Sequence, residues 1–257
     1  MQNNTFSTLF VGQNLIKLSA VDSTNNFLKN LLSKSEPLPE GTVIMADDQF
    51  AGRGMQENIW KSDPGKNLTI SILLRPTFLG LNKQFLLNMA ISVAINNTLS
   101  AYLSNGLCIK WPNDIYYNDL KLGGVLIENT IIGNSIKNTV VGIGINVNQQ
   151  FFPPDLIHKA TSLSEILQEN VNLELLLADL CSQIEVLYLQ LRANKGAFLR
   201  KSYIDRLYKI NTPAPYRQNG EVFEGIITGV SDSGLLKMNI NGKPVQFNFK
   251  EIEFLKL

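Results

Sequence analysis

The 257-residue sequence predicts a mixed α and β domain followed by a small all-β barrel. Three observations carry this prediction. Short apolar runs of strand length punctuate the first half, and two long stretches, Asn82 to Leu103 and Asn172 to Leu191, carry apolar residues at helical spacing. Beyond Thr212-Pro213-Ala214-Pro215 the pattern changes to a period of two between Asn-Gly turns. The length suits one large unit plus one small, at a prior of about 150 residues per domain.

Taken in order, Asp22-Ser23-Thr24-Asn25 precedes Phe27, Leu28, Leu31 and Leu32 at helical spacing, so the Asp-Ser-Thr cluster is expected to cap a helix. Thr42 to Asp47, Leu68 to Leu74 and Val125 to Glu128 read as strands, and Phe85, Met89, Val93 and Ile95 mark the helix between the second and third. Tyr116-Tyr117-Asn118-Asp119 and Ile132-Gly133-Asn134 read as hairpin tips. Leu173, Leu176, Leu177, Leu180, Ile184, Leu187 and Leu191 share one helical face, and Phe198 to Leu207 extends the pattern after Gly196. In the last segment, Asn219-Gly220 and Asn241-Gly242 are turns, while Leu236, Met238, Ile240, Val245, Phe247 and Phe249 alternate. The boundary falls near residue 210.

Composition removes several kinds of chemistry. With 23 Lys+Arg against 22 Asp+Glu the chain has no overall bias toward polyanions, so no nucleic-acid partner is expected. It has one histidine, His158, and two cysteines, Cys108 and Cys181, which is too few for a Cys/His zinc cluster and leaves a single imidazole for any triad. His158 follows Phe151-Phe152-Pro153-Pro154 with no partner motif and reads as a surface or structural side chain. Two lone cysteines make no disulfide framework, and both thiols are expected reduced and buried. The start, MQNNTFSTLF, lacks the basic and apolar regions of a secretory signal. No apolar run reaches the ~18 residues of a membrane span, so a cytoplasmic protein without membrane contact is expected.

Three motifs carry chemistry. Gln49-Phe50-Ala51-Gly52-Arg53-Gly54 follows a strand and precedes Trp60: its glycines permit close backbone approach, their N–H groups suit a phosphate, and Arg53 adds a cation. Taken alone it is more often an ordinary loop, and no Gly-Lys-Ser/Thr follows to make it a Walker loop. Lys110-Trp111-Pro112-Asn113-Asp114 and Lys121-Leu122-Gly123-Gly124 put two lysines and a carboxylate on neighbouring strands of one hairpin, a pattern that suits an external anion or a solvated edge strand. Val141-Gly142-Ile143-Gly144-Ile145-Asn146 sets two glycines in an apolar strand, as a close contact or a bulge requires.

In this order the motifs resemble the biotin protein ligases, over almost the whole chain, with Lys-Trp-Pro-Asn-Asp and Lys-Leu-Gly-Gly the most specific strings. The resemblance implies an α+β fold: a class II aminoacyl-tRNA synthetase-like catalytic domain, with a mixed sheet flanked by helices, over residues 1–210, and an SH3-like barrel over 211–257. It implies an ATP-dependent reaction in which biotin carboxylate attacks the α-phosphate, with Mg2+ carried by the phosphates rather than by a protein cluster. A lysine of a biotin carboxyl carrier protein then attacks the biotinyl-5′-adenylate. Neither step needs a histidine, because the first nucleophile is already an anion and the acceptor supplies the second.

By resemblance, Ser23, Thr24, Asn25 and Gln49 hydrogen-bond the ureido ring, Gly52 and Gly54 belong to the biotin loop, and Gly142 and Gly144 leave room beside biotin. Arg53 and Lys121 serve both biotin carboxylate and α-phosphate, with Lys110 nearby. Trp60, Asn113 and Asn146 lie on the adenine side, and Asp114, also at the nucleotide, orients the incoming amine. The catalytic set is then Arg53, Lys110, Asp114 and Lys121.

The glycine loop departs from the family pattern. Met55 stands where a basic or amide residue is frequent in the family, a change expected to weaken adenylate retention, and Glu57 replaces a glycine and is expected to point outward. The first motif begins at Asp22, ahead of which no DNA-binding domain is expected. Lipoate or octanoate enzymes share the fold but resemble an arginine-rich glycine motif with a His-Asp pair, and a weakly catalytic biotin-binding regulator is the remaining alternative. A monomer and a homodimer are equally compatible with the sequence.

Overall fold

Residues 15–49 form a β-α-β unit: β1 (Leu15–Val21), α1 (Thr24–Leu32) and β2 (Val43–Gln49), with β1 and β2 parallel. The computed structural model describes residues 6–34, 37–55 and 58–255. The chain continues through β3 (Leu68–Leu74), α2 (Phe85–Leu99), β4 (Leu107–Lys110), β5 (Asp114–Tyr117), β6 (Leu120–Ile132) and β7 (Ser135–Ile145). These strands make one sheet in the order β1-β2-β3-β7-β6-β5-β4, antiparallel except at β1–β2. Three helices follow, α3 (Leu163–Leu167), α4 (Leu173–Arg192) and α5 (Gly196–Ile204).

α2 is apolar all round because it is covered all round: every residue but Asn88 and Asn97 is buried, between the sheet and α4 and α5. On the opposite face of the sheet, α1 lays Leu28 against Ile44, Leu73 and Val140. That second layer covers only part of the face, and the uncovered part becomes the candidate site.

The remaining strands, β8 (Pro213–Gln218), β9 (Glu221–Val230), β10 (Leu236–Ile240), β11 (Lys243–Phe247) and β12 (Glu253–Phe254), form an antiparallel sheet in the order β11-β10-β9-β8-β12. Both Asn-Gly turns have positive φ at both residues, as two-residue hairpins require: 50° and 87° at Asn219-Gly220, 51° and 80° at Asn241-Gly242. This is the mixed sheet plus small barrel-like unit expected from the sequence. The two meet at Trp111, whose indole N–H donates to the Gly234 carbonyl at 2.9 Å and whose ring lies 5.2 Å from that of Phe249. Among the described residues no helix is long and apolar enough to cross a membrane.

Three expectations need correction. Ser23 stands at the N-cap of α1 but its side chain makes no capping hydrogen bond; the Gln49 side chain does that work instead. The cysteines are both free, but only Cys181 is buried and Cys108 is half-buried; burial pushes each thiol up to about 12. Phe249 lies beyond the end of β11 and turns toward Trp111 rather than continuing the alternation.

Candidate active site

Strand alternation decides which residues floor the cavity. In the register of the sheet, Thr69 lies opposite Gly144, which lies opposite Gly124, which lies opposite Asp114. One pleat along, Ser71 faces Gly142 and Gly142 faces Leu126; the next row joins Leu73, Val140 and Glu128. Polar and glycine residues thus share one face of β3, β7 and β6, beneath a cavity of about 200 Å³.

The two β7 glycines are needed because other side chains lie on them. A Cβ on Gly142 would stand 2.4 Å from Asn25 Oδ1, and one on Gly144 would stand 2.5 Å from the Trp60 ring. The room expected beside biotin is therefore taken by Asn25 and Trp60, which themselves line the cavity. The indole N–H of Trp60 is buried and makes no hydrogen bond within the protein.

Residues of the Asp22-Ser23-Thr24-Asn25 motif meet Gln49 and Ser71 in a buried hydrogen-bonded cluster. Gln49 Oε1 accepts from the Thr24 backbone N–H at 2.8 Å and from its hydroxyl at 3.0 Å. Ser71 Oγ lies 2.8 Å from Thr24 Oγ1 and 2.5 Å from Asn25 Oδ1. Asn25 Nδ2 donates to Glu128 Oε2 at 2.8 Å. Glu128 also receives Lys29 at 2.7 Å and Arg53 at 2.9 Å. Burial would push its carboxyl up, but the hydrogen bonds from Lys29 and Asn25, with the charges of Lys29 and Arg53, hold it below the usual carboxylate range.

On β5 and β6, Lys121 Nζ pairs with Asp114 Oδ1 at 2.7 Å and lies 5.9 Å from the centre of the Trp60 ring. Asn113 is buried, with its amide donating to the Val125 carbonyl, and still lines the cavity. The loop after β2 closes on itself: Gly54 N–H donates to the Asn58 carbonyl at 2.6 Å and Trp60 N–H to the Gly52 carbonyl at 2.9 Å. The N–H of Gly54 is thus engaged within the loop rather than presented to a phosphate. Met55 lines the cavity, whereas Glu57 lies outside the described residues.

Ser23, Thr24, Asn25, Gln49, Arg53, Gly54, Trp60, Asn113, Asp114, Lys121, Gly142 and Gly144 are thus brought together as expected. Lys110 and Asn146 are not among the lining residues. Lys110 Nζ turns to the Tyr116 hydroxyl at 3.0 Å and the Phe254 ring at 5.1 Å, while Asn146 uses its amide on the Thr161 carbonyl at 3.0 Å. Gly52 packs behind the wall, where a Cβ would meet the Trp60 carbonyl oxygen at 2.4 Å. His158 is exposed and is not a lining residue. Sequence reading missed Thr69, which lines the cavity, and Ser71, which holds Thr24 and Asn25 from behind, though their alternation with Leu68, Ile70 and Ile72 was available; it also missed Phe249 and Lys250, which reach the cavity only because the second sheet docks there.

A mixed sheet presenting a buried hydrogen-bonding cluster beside Arg53 and Lys121 defines a protein that binds a small polar molecule together with an anion. The comparisons agree. The model of the biotin/lipoate A/B protein ligase family matches residues 18–146, and the chain belongs to that family. The bifunctional ligase/repressor BirA of Bacillus spizizenii is 32% identical over 231 residues, covering 89% of this chain and 70% of that protein. The biotin–[acetyl-CoA-carboxylase] ligase of Paracoccus denitrificans is 28% identical over 231 residues, 85% of this chain and 91% of that one. Among solved structures, the biotin protein ligase from Aquifex aeolicus in complex with biotin and ATP matches with a TM-score of 0.79 at 25% identity, over 95% of this chain and 100% of that one.

Proposed function

We propose that this chain is an ATP-dependent biotin ligase that forms biotinyl-5′-adenylate and transfers biotin to a lysine of a biotin carboxyl carrier protein. The observation that carries this reading is one cavity lined both by the Thr24, Asn25 and Gln49 cluster and by Arg53 and Lys121. A cyclic urea offers two N–H donors and one carbonyl acceptor, which suits a wall of fixed amides and hydroxyls.

In the first step a biotin carboxylate oxygen attacks the α-phosphorus of ATP and pyrophosphate leaves. Arg53 and Lys121 offset the charge that builds on the phosphoryl oxygens. Asp114, paired with Lys121, keeps that ammonium aimed rather than free to wander. In the second step the acceptor amine attacks the acyl carbon, AMP leaves, and an amide forms. The unbonded Trp60 N–H and the stacking of its ring on Gly144 support a role in covering the bound ligand.

Mg2+ fits as a phosphate-borne ion. Asp114 is the one carboxylate among the described lining residues, and no cluster of three potential ligands occurs among the described residues. Asp114 would hold the ion by one carboxylate oxygen beside the phosphates, in keeping with magnesium's preference for oxygen ligands. When bound, such an ion would supply charge neutralisation at the leaving pyrophosphate. We assign the reaction to the cytoplasm, where a carboxylase carrier domain of the kind named for the Paracoccus relative is the acceptor.

The reading is tested by exchange of labelled pyrophosphate into ATP: biotin should support it, and exchange driven by lipoate or octanoate in place of biotin would overturn it.

A further inference from the structure

Glu128 is a carboxylate that ends the apolar run Val125-Leu126-Ile127 of β6, and no part of the chemistry above calls for it. Its two oxygens do different things. Oε1 is held by Lys29 at 2.7 Å, one helical turn beyond Asn25 on the same face of α1. Oε2 takes the Asn25 amide at 2.8 Å and Arg53 at 2.9 Å. The same Asn25 Nδ2 also lies 3.4 Å from the Leu126 carbonyl. Both acceptors are acceptors only, so turning the amide over would set Asn25 Oδ1 against two oxygens. Asn25 Oδ1 instead accepts from Ser71 Oγ at 2.5 Å, above Gly142, in a side chain that lines the cavity.

We propose that Glu128 is a positioning residue for biotin: anchored by Lys29, it fixes the Asn25 side chain with its carbonyl oxygen as an acceptor for a ureido N–H. This rests on the reading that Asn25 meets the ureido ring. Without Glu128 the amide keeps only the Ser71 hydroxyl and a long contact to the Leu126 carbonyl, so the flipped orientation, which presents a donor to a donor, becomes accessible.

The decisive experiment titrates biotin into the full chain by calorimetry, with thermal melts to verify folding, for four variants. Asn25→Ala and Glu128→Gln should each weaken binding about tenfold, the value of one charged or buried hydrogen bond. Asn25→Asp sets two carboxylates together and should weaken it further. Combining Asn25→Asp with Glu128→Gln reverses donor and acceptor, conserves the charge of the cluster, and should restore most of the affinity. A merely structural Glu128 would give no such rescue. If Asn25→Ala weakens binding but the double variant is no better than the worse single one, the positioning role is wrong while the site stands. If Asn25→Ala binds biotin as the unaltered chain does, the site assignment itself is wrong.

Discussion

Lys121 and Asp114 lie 2.7 Å apart with about a third and a quarter of their side-chain surfaces exposed, so their pairing fixes geometry more than it adds stability. What either does for a substrate depends also on the floor of the cavity, where Gly144 lies under the Trp60 ring. Gly144→Ala would set a methyl group 2.5 Å from the Trp60 ring, an overpacking of about 1–3 kcal/mol. Trp60 stands in a half-buried loop and gives way, so adenylation should fall about tenfold while the melting temperature moves little, a contrast read by exchange assay and calorimetry. The Glu128 cluster predicts a pH effect. Because its carboxyl is held below the usual range by Lys29, Asn25 and Arg53 against the opposing effect of burial, its contribution to stability is complete above the unfolded carboxyl value of about 4.3. It is lost only as pH falls through the lower folded value. Melting temperature should therefore be indifferent to this group from pH 6 to 8, and Glu128→Gln should flatten the acid limb of the profile. Motif spacing made Arg53, Asp114 and Lys121 legible in the sequence, whereas Glu128 was not, because one acid in Val125 to Ile132 looks like a solvated strand residue until Asn25 and Lys29 are seen above it.

At the scale of elements, α1 shows how the site and the fold share atoms. Its first turn is satisfied from outside, by Gln49 at the end of β2, rather than by the residue at its own N-cap. Gln49→Ala should therefore cost about 1 kcal/mol, a fall of a few degrees in melting temperature, while Ser23→Ala should cost much less. The reverse order would show that Ser23 caps the helix in solution. The run Leu68 to Leu74 coincides with β3, and α4 follows its apolar spacing closely, whereas α2 lies within Asn82 to Leu103 but is buried on nearly every side. β1 escaped notice for a physical reason: it is an edge strand, mostly half-buried or exposed, so its apolar residues do not alternate cleanly. The reach of β6 and β7 beyond the short runs read in sequence has a similar cause, since Asn129 to Ile132 extends past the end of β5 into a free hairpin with mixed polarity.

Across the whole molecule, the docking of the second sheet is the feature least visible beforehand. The change of pattern near residue 210 falls just before the first strand of the second sheet, but nothing in the alternation of Val245, Phe247 and Phe249 says that Phe249 packs against Trp111 and lines the cavity. Phe249→Ala should remove an aromatic contact of about 0.5–1.5 kcal/mol and open that wall. Activity should fall more than stability does, and an equal loss of both would assign Phe249 to packing alone. The Lys-Trp-Pro-Asn-Asp string is held from both sides, with Pro112 O accepting from Asn88 and from Tyr203 and with Trp111 bonded to Gly234. Its neighbour Lys121 is thus carried on a braced hairpin. The central claim is that this braced cation serves adenylation, and the measurement that tests it most directly is biotin-dependent pyrophosphate exchange by the unaltered chain and by Lys121→Ala. The unaltered chain should exchange only with biotin present, and the variant should be slower by about ten- to a hundredfold, the rate equivalent of one charge-assisted contact. Exchange that ignores biotin, or that proceeds undiminished without Lys121, would contradict it.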